Sequence, residues 1–358
     1  MTSRTTRLIT MWMVSVLGIG TLASTAVLTQ GRQGVLTPGG QGVLTPGGQG
    51  GARPAAAWPP KLEAPVAGQV EVLPVQGQIF MIVGAGANIT VQAGEAGVLV
   101  VDTGTAAMSE KVIAAIRTIS RKPLRYIVNT IEWPEYSGGN EKIAAAGEII
   151  PFREANYTAG PQGALDIKKA SVISYLTVFH RMSEAGGPEN AWPDNTYSTP
   201  QKRLSFNDEP VVMLHQVANT DGNSLVHFRK SDVISAGPLL DLESYPRIDV
   251  KAGGSIQAMV EGLNRLIELA VPEANAGGGT LVVPGHGRIA DHAEVAYYRD
   301  MMTIIRDRLQ DGIKKNLTLA QIKAARPTRD YDARYGKTTG PWMTDMFVEA
   351  AYASLVKK

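Results

Sequence analysis

Among the side chains that commonly bind zinc through nitrogen or sulfur, this chain of 358 residues has only five histidines. There is no cysteine, which excludes disulfide bonds, zinc-thiolate sites and a cysteine nucleophile. The five histidines are scattered, and only His286 and His292 lie near each other in sequence. Neutral imidazoles and carboxylates are the usual ligands of catalytic zinc and the usual groups of acid–base catalysis. The candidates are therefore these two histidines and any carboxylates that the fold brings to them.

One polar stretch, "NTIEWPEYSGGN" (129–140), places two carboxylates in a segment that also holds paired glycines. Glu132 and Glu135 are candidates for general acid or base catalysis, although most carboxylates in loops are only solvated surface groups. Ser137 lacks the strand–turn–helix setting of a nucleophilic serine, and a helix N-cap is the simpler interpretation. Glu135 is therefore the one catalytic candidate kept from this stretch.

The composition is that of a folded, nearly neutral protein, with 44% hydrophobic residues and a formal net charge of +2. Because there is no long basic run, nucleic acid is not expected as a partner. Arg4 and Arg7 precede an apolar run, and a cleavage site with small residues ends at Ala26. We therefore expect residues 1–26 to be a signal peptide and the protein to be exported, periplasmic or secreted, without a membrane anchor after cleavage. Retention of the run as an anchor is the alternative.

The elements that must position the candidate residues follow a long flexible segment. Residues 27–67 contain the octapeptide QGVLTPGG twice, and their glycine and proline content predicts a linker. Over 68–315, two series of short strands are accompanied by amphipathic helices, which predicts two stacked sheets with helical outer layers. An irregular stretch at about 152–199 is predicted to be an insertion over one end of the sheets, and two short helices over 316–358 a C-terminal extension.

The order of five landmarks resembles the sequence signature of the metallo-β-lactamase superfamily. These landmarks are "GVLVVDTG", "NT…SGGN", "NTDGNSLVHF", "DVISAG" and "VVPGHG", and the resemblance covers about 68–288. It implies an α+β fold, the αββα four-layer sandwich, with the functional cleft along one edge of the two sheets. Active members of the family bind zinc in that cleft and use a metal-activated water for hydrolysis.

Most zinc ligands that the resemblance implies are absent from this chain. Active members have, in chain order, His, His, Asp, His, His, Asp and His at the seven ligand positions. Here the seven positions hold Ile131, Trp133, Glu135, Tyr136, Asn219, Pro238 and His286. Apolar side chains do not hold zinc, and neutral tyrosine is a poor zinc ligand. We therefore expect a degenerate site with no metal or other cofactor, in which Trp133 fills the space that the ligands left.

Two classes of function follow from this interpretation. The first is an exported pseudoenzyme that binds a small molecule or a protein in the old cleft. The second is a hydrolase of an ester, amide or lactam, with metal-free chemistry or with a rearranged zinc site such as His286, His292 and Glu135. We favour the first, because so few positions keep a residue that can bind zinc. Zinc analysis and hydrolysis assays distinguish the two classes.

Overall fold

The computed structural model describes residues 65–148, 169–272 and 278–356. The predicted signal peptide and nearly all of the predicted linker lie outside these ranges. Within them the chain forms two sheets and nine α-helices. The strands are β1 (Glu71–Gln76), β2 (Ile79–Val83), β3 (Ile89–Gly94), β4 (Gly97–Val101), β5 (Leu124–Val128), β6 (Ser171–Tyr175), β7 (Asn195–Tyr197), β8 (Gln201–Phe206), β9 (Glu209–His215), β10 (Ser224–Phe228), β11 (Val233–Asp241) and β12 (Leu281–His286). The helices are α1 (Ser109–Ile119), α2 (Pro134–Ser137), α3 (Asn140–Ala145), α4 (Leu176–Glu184), α5 (Ile256–Leu269), α6 (His292–Lys314), α7 (Leu319–Ala324), α8 (Asp332–Tyr335) and α9 (Thr344–Val356).

Both sheets are mixed. The first has the strand order β1-β2-β3-β4-β5-β6-β7 and changes from antiparallel to parallel pairing at β4. The second has the order β12-β11-β10-β9-β8, with a parallel pair between β11 and β12. Two parallel neighbouring strands end at the same edge of a sheet. The carboxyl ends of β4 and β5 therefore lie together, and so do those of β11 and β12. The candidate residues follow these strand ends.

Three buried clusters define four layers. The inner cluster joins the facing sides of the two sheets and includes Met81, Val128, Met213 and Phe228. The second lies between the first sheet and the helices α1 and α3, and the third between the second sheet and the helices α5, α6 and α9. Burying one such aliphatic or aromatic side chain contributes about 1.5–3 kcal/mol. The layer order αββα confirms the fold predicted from the sequence.

The helices begin and bury their faces as their sequences predict. In α1, Val112, Ala115 and Ile116 recur at helical spacing and are buried against the first sheet. The side chain of Ser255 caps α5 by accepting a hydrogen bond from the backbone N–H of Ala258 at 3.0 Å. Local patterning is therefore consistent with the tertiary packing of these elements.

Two segments differ from the sequence-based expectation. Where an irregular insertion was predicted, the described part forms β6, α4 and β7, and both strands extend the first sheet by parallel pairing. The part of 316–358 that the structure describes forms three helices, and Phe347 and Val348 of α9 are buried in the core of the second sheet. Both segments are therefore integral to the sandwich. Over the described ranges, no helix combines the length and apolarity needed to cross a membrane.

Candidate functional site

The ends of β4 and β5 are tied together by a buried carboxylate. Asp102, directly after β4, has φ 63° and accepts hydrogen bonds from the backbone N–H and the hydroxyl of Thr130, at 2.8 and 2.7 Å. Burial raises the pKa of Asp102 to about 7, and the two bonds from Thr130 act in the opposite direction. Aspartate is one of the few residues that adopt this left-handed backbone readily. Asp102 therefore shapes the loop rather than facing a ligand.

The "NT…SGGN" frame is held by buried amides. Asn129 and Asn140 donate to each other's side-chain oxygens at 3.0 and 2.7 Å, and the hydroxyl of Thr103 donates to Asn140 at 3.0 Å. All three side chains are buried. A buried polar group that loses its partner costs about 1–3 kcal/mol. The frame residues thus have a structural function that does not depend on a metal.

An apolar cluster occupies the loop inside that frame. Ile131, Trp133 and Tyr136 are 0%, 6% and 2% exposed, and pack together with Ala87. The rings of Trp133 and Tyr136 meet edge to face, with centroids 6.3 Å apart. Three of the former ligand positions therefore stabilise this loop by packing.

Ser137 does not cap a helix N-terminus, contrary to the sequence-based interpretation. It is the last residue of α2, which begins at Pro134. Its hydroxyl donates to the backbone carbonyl of Glu132 at 2.9 Å, so it closes the turn that leads into the helix. Glu132, the other carboxylate of this loop, forms an ion pair with Arg181 at 3.4 Å. Neither residue lines the cavity described below.

Tyr136 packs against the end of β12 because that strand carries glycine at 285. A Cβ added at Gly285 would lie 2.3 Å from the Tyr136 hydroxyl oxygen. The ring of Tyr136 meets that of His286 edge to face, with centroids 5.9 Å apart. Burial, followed by the nearby carboxylates, raises the pKa of Tyr136 well above its ordinary value. Tyr136 is therefore a neutral phenol near pH 7, which is a poor zinc ligand.

Asn219 uses its side chain to hold two backbone segments. Its amide nitrogen donates to the carbonyls of Pro238 and Arg247 at 3.1 and 2.7 Å. Its amide oxygen accepts from the side chain of Asn223 at 3.1 Å. The residue is fully buried. At this former ligand position, three of the amide's hydrogen-bonding capacities are thus used inside the protein.

His286 lies beside a carboxylate that the sequence analysis did not single out. The parallel register pairs it with Asp241, and its Nδ1 is 3.4 Å from Oδ2 of that residue. The geometry is that of an ion pair without the direction of a hydrogen bond. Asp241 also accepts hydrogen bonds from the backbone N–H groups of Glu243 and Ser244, both at 2.9 Å, and from the Ser244 hydroxyl at 3.0 Å. Asp241 therefore places a negative charge beside Nδ1 of the imidazole.

This pair shifts both pKa values in the direction expected for an ion pair. Burial acts to lower the pKa of His286, but the charge of Asp241 outweighs it and the pKa lies above the ordinary 6.5. Burial acts to raise the pKa of Asp241, and His286 with the hydrogen bonds to Glu243 and Ser244 brings it below the ordinary 3.8. The pair is thus charged at pH values between the lowered pKa of Asp241 and the raised pKa of His286.

A cavity of about 550 Å³ lies at this edge of the sandwich. Five of the seven former ligand positions line it, namely Trp133, Glu135, Tyr136, Pro238 and His286. The other two, Ile131 and Asn219, are fully buried behind it. The positions that the resemblance implies for zinc therefore lie close together, five in the lining of the cavity and two buried.

The rest of the lining comes from two later segments. Asp241 ends β11, and Ser244, Tyr245 and Arg247 follow it. Pro341 and Trp342 precede α9, and Met346 lies in its first turn. The indole N–H of Trp342 donates to the carbonyl of Tyr245 at 3.1 Å, which fixes the C-terminal segment over the cavity. Asp241 was detectable as a carboxylate ending a strand, but nothing in the sequence pattern indicated Arg247 or Trp342.

Arg247 is the one Arg or Lys side chain in the described lining of the cavity. Its guanidinium carbon lies 4.4 Å from the ring centre of Trp133, a cation–π contact. One of its nitrogens is 3.7 Å from Oε1 of Glu135. Glu135, the catalytic candidate, is therefore the ionic partner of an arginine, with its side chain 33% exposed.

The side chains at the positions that the resemblance implies for zinc do not fit a zinc ion. Ile131 and Trp133 offer no lone pair, and the amide of Asn219 is engaged with the backbone. The alternative cluster of His286, His292 and Glu135 is not assembled: over residues 65–148, 169–272 and 278–356, no three His, Asp or Glu side chains are grouped to hold a metal. We therefore derive no chemical step through a metal.

Comparison with solved structures identifies the fold. The stereoselective inverting sec-alkylsulfatase Pisa1 from Pseudomonas sp. matches with a TM-score of 0.57 and 13% identity, over 80% of this chain and 50% of that chain. A double mutant of sec-alkylsulfatase PisA1 gives 0.56 and 14% over the same shares. A metallo-β-lactamase from Pontibacter korlensis is more distant, with 0.49 and 16% over 66% of this chain and 99% of that chain. The chain spans about half the length of the sulfatases.

No protein-family model matches the sequence, and no curated protein matches it either. At 13–14% identity, the structural likeness to the sulfatases concerns the fold and not the activity. The two sheets, their helical layers and the landmarks at the strand ends agree with that likeness. The chain has the metallo-β-lactamase fold, and the positions that the resemblance implies for zinc hold mainly packing and hydrogen-bonding residues.

Proposed function

We propose that this protein is an exported pseudoenzyme of the metallo-β-lactamase fold, which binds a small molecule in the cavity and does not hydrolyse it with zinc. One observation carries the proposal. The zinc positions have been converted to packing and internal hydrogen bonds, yet a cavity of about 550 Å³ remains beside them. A sequence under selection for stability alone had no need to keep this space open, because filling a cavity generally stabilises a fold.

The size and lining of the cavity support a small molecule as the occupant. Ligand sites in proteins commonly have volumes of about 300–1,000 Å³, with mostly apolar walls and a few polar groups. Here Trp342 supplies partly exposed aromatic surface, the buried rings of Trp133 and Tyr245 border the space, and Arg247 and His286 supply polar groups. Hydrolysis of alkyl sulfates belongs to the similar solved proteins, and we do not extend it to this chain.

A second candidate, metal-free hydrolysis, is favoured by one feature. His286 has a carboxylate at Nδ1, which is the arrangement that orients a histidine to act as a general base through Nε2. The same carboxylate raises the pKa of His286, so the imidazole is protonated to a higher pH than usual. A protonated imidazole cannot accept a proton from water. The carboxylate thus makes the neutral imidazole a stronger base, while it reduces the fraction of His286 that is neutral at a given pH.

Zinc analysis and hydrolysis assays test the proposal together. We expect purified full-length protein to contain no stoichiometric zinc, and to leave ester, amide, lactam and alkyl sulfate substrates intact with or without added zinc. His286→Ala is expected to change neither result. Stoichiometric zinc that disappears in His286→Ala would contradict the proposal and restore a metal hydrolase. Turnover without metal that is lost in both His286→Ala and Asp241→Asn would favour the second candidate.

Export is tested separately. We expect the protein isolated from the extracytoplasmic fraction to begin at Val27, after the small-residue site that ends at Ala26. N-terminal sequencing that returns Met1 from membranes would instead favour a retained anchor.

A further inference from the structure

Arg247 contacts three of the seven former zinc positions. Its guanidinium lies over Trp133 and beside Glu135, and its backbone carbonyl accepts a hydrogen bond from Asn219 at 2.7 Å. We propose that Arg247 is the built-in cation of the cavity, and that the ligand is a small organic carboxylate whose apolar body lies along the aromatic wall. This inference rests on the proposed ligand-binding function and specifies the chemical class of the ligand.

The position of Arg247 is fixed at two points. The bond from Asn219 holds its backbone, and its guanidinium carbon lies 4.4 Å from the ring centre of Trp133. A guanidinium stacked in this way keeps its N–H edge available, and that edge matches the two oxygens of a carboxylate. Arginine also stays charged at every physiological pH. The cavity therefore contains a permanent and oriented positive charge.

The hydrogen-bonding capacity of this charge is unfilled. Among the described residues, the guanidinium of Arg247 donates no hydrogen bond, and its side chain is 45% exposed. Its ionic partner, Oε1 of Glu135, is 3.7 Å away, beyond the range of a good hydrogen bond. Asp241 does not compete, because its oxygens already accept from Glu243 and Ser244. The guanidinium therefore favours a ligand that has hydrogen-bond acceptor oxygens.

Glu135 is the movable member of its pair with Arg247. Its carboxylate makes no hydrogen bond to another described residue and is 33% exposed, so it can turn towards solvent. Arg247 has more to lose by turning away, since its backbone accepts a hydrogen bond from Asn219 and its guanidinium contacts the ring of Trp133. A cationic ligand would have to stay beside this fixed positive charge, whereas an anionic ligand has only to displace Glu135. The geometry therefore favours an anion.

The remaining wall matches an apolar body next to the carboxylate. Pro341, Trp342 and Met346 of the C-terminal segment line this side of the cavity, with a partly exposed indole and thioether. Contacts with a ring and a thioether stabilise a flat or flexible hydrocarbon but do not stabilise a strongly hydrated ion. We therefore expect inorganic phosphate and acetate to bind far more weakly than larger monocarboxylates.

The test uses the full chain and three matched sets of probes. Phenylalkyl and medium-chain alkyl monocarboxylates are titrated by calorimetry, each beside its primary amide and its primary amine. We expect the carboxylates to bind about 10–100-fold more tightly than the amides, the effect of a charge-assisted hydrogen bond, and the amines not to bind. Equal binding of all three sets would overturn the carboxylate inference and leave the ligand-binding function standing, and preferred binding of the amines would do the same. Absence of binding by every probe would contradict both.

Variants separate the role of Arg247 from simple damage to the cavity. Arg247→Gln is expected to weaken carboxylate binding about 10–100-fold and to leave amide binding within about twofold. Glu135→Gln is expected to strengthen carboxylate binding about 2–5-fold, because the competing exposed ion pair is removed. Arg329→Gln is the matched control, since Arg329 is 68% exposed and its ion pair with Asp330 is 3.4 Å long, outside this cavity. Weaker carboxylate binding in Glu135→Gln, or an unchanged affinity in Arg247→Gln, would overturn the inference.

Discussion

Replacing Trp133 with alanine tests whether the vacated zinc positions now hold the loop together. Burial of a tryptophan removes about 150–250 Å² from water, which at about 25 cal/mol per Å² gives an upper bound of about 4–6 kcal/mol. At 6% exposure, Trp133 contributes nearly all of this. The space left by the substitution opens into the neighbouring cavity, where water can enter, so the cost falls below the bound. We expect Trp133→Ala to lose about 3–4 kcal/mol of unfolding free energy.

Urea denaturation followed by circular dichroism measures this loss, and calorimetry checks it as a fall in melting temperature of about 6–16 °C. Trp133→Phe is the matched control, because a phenyl ring keeps contact with Tyr136 and fills most of the space. It is expected to lose less than half as much as the alanine variant. A loss below about 1 kcal/mol in Trp133→Ala would refute the reasoning and show that the indole only borders an open cleft.

Two further substitutions examine the contacts between β11, β12 and the loop. Gly285→Ala is expected to lower the free energy of unfolding, measured in urea, by about 2–4 kcal/mol, because its Cβ would lie 2.3 Å from the Tyr136 hydroxyl oxygen. Adding Tyr136→Phe to this variant is expected to recover part of the loss. If the double variant is no more stable than Gly285→Ala, the clash is not the cause. His286→Ala is expected to cost about 1 kcal/mol in mildly acid buffer and less in alkaline buffer. Because the pKa of His286 is raised, its contribution to folding stability is complete below pH 6.5 and is lost as the pH rises through the pKa of the folded state. Because the pKa of Asp241 is lowered, its contribution to folding stability is present above pH 3.8 and is lost as the pH falls through the pKa of the folded state. A cost that is the same in both buffers would contradict the ion pair.

The sequence alone predicted the layered arrangement and the order of the landmarks. Alternating and helical hydrophobic patterns are local properties, and they predicted two series of strands with amphipathic helices, which form the two sheets and their helical layers. The seven positions of the former zinc site followed from the order of the motifs. That most of them cannot bind zinc follows from residue type, which needs no coordinates.

Other parts of the fold escaped prediction because their stability comes from non-local pairing. The strand β6 is recognised as such only beside β5, and β7 has three residues, too few to show a period. Phe347 of α9 is buried against the second sheet although the predicted C-terminal extension was read as separate from the domain. Short elements of this kind depend on their neighbours for burial, which a local pattern does not record.

The chemistry of the cavity was decided by tertiary structure. Asp241 reaches His286 because two parallel strands end in register, and Trp342 meets Tyr245 across 97 residues of sequence. Arg247 carries no motif, and it becomes the cation of the cavity only because Asn219 holds its backbone and Trp133 supports its side chain. Such contacts are set by the path of the backbone and the space left by the packed core, not by the identity of adjacent residues. The sequence therefore determined which residue types stand at the positions that the resemblance implies for zinc, and the tertiary structure decided which charges face the cavity beside them.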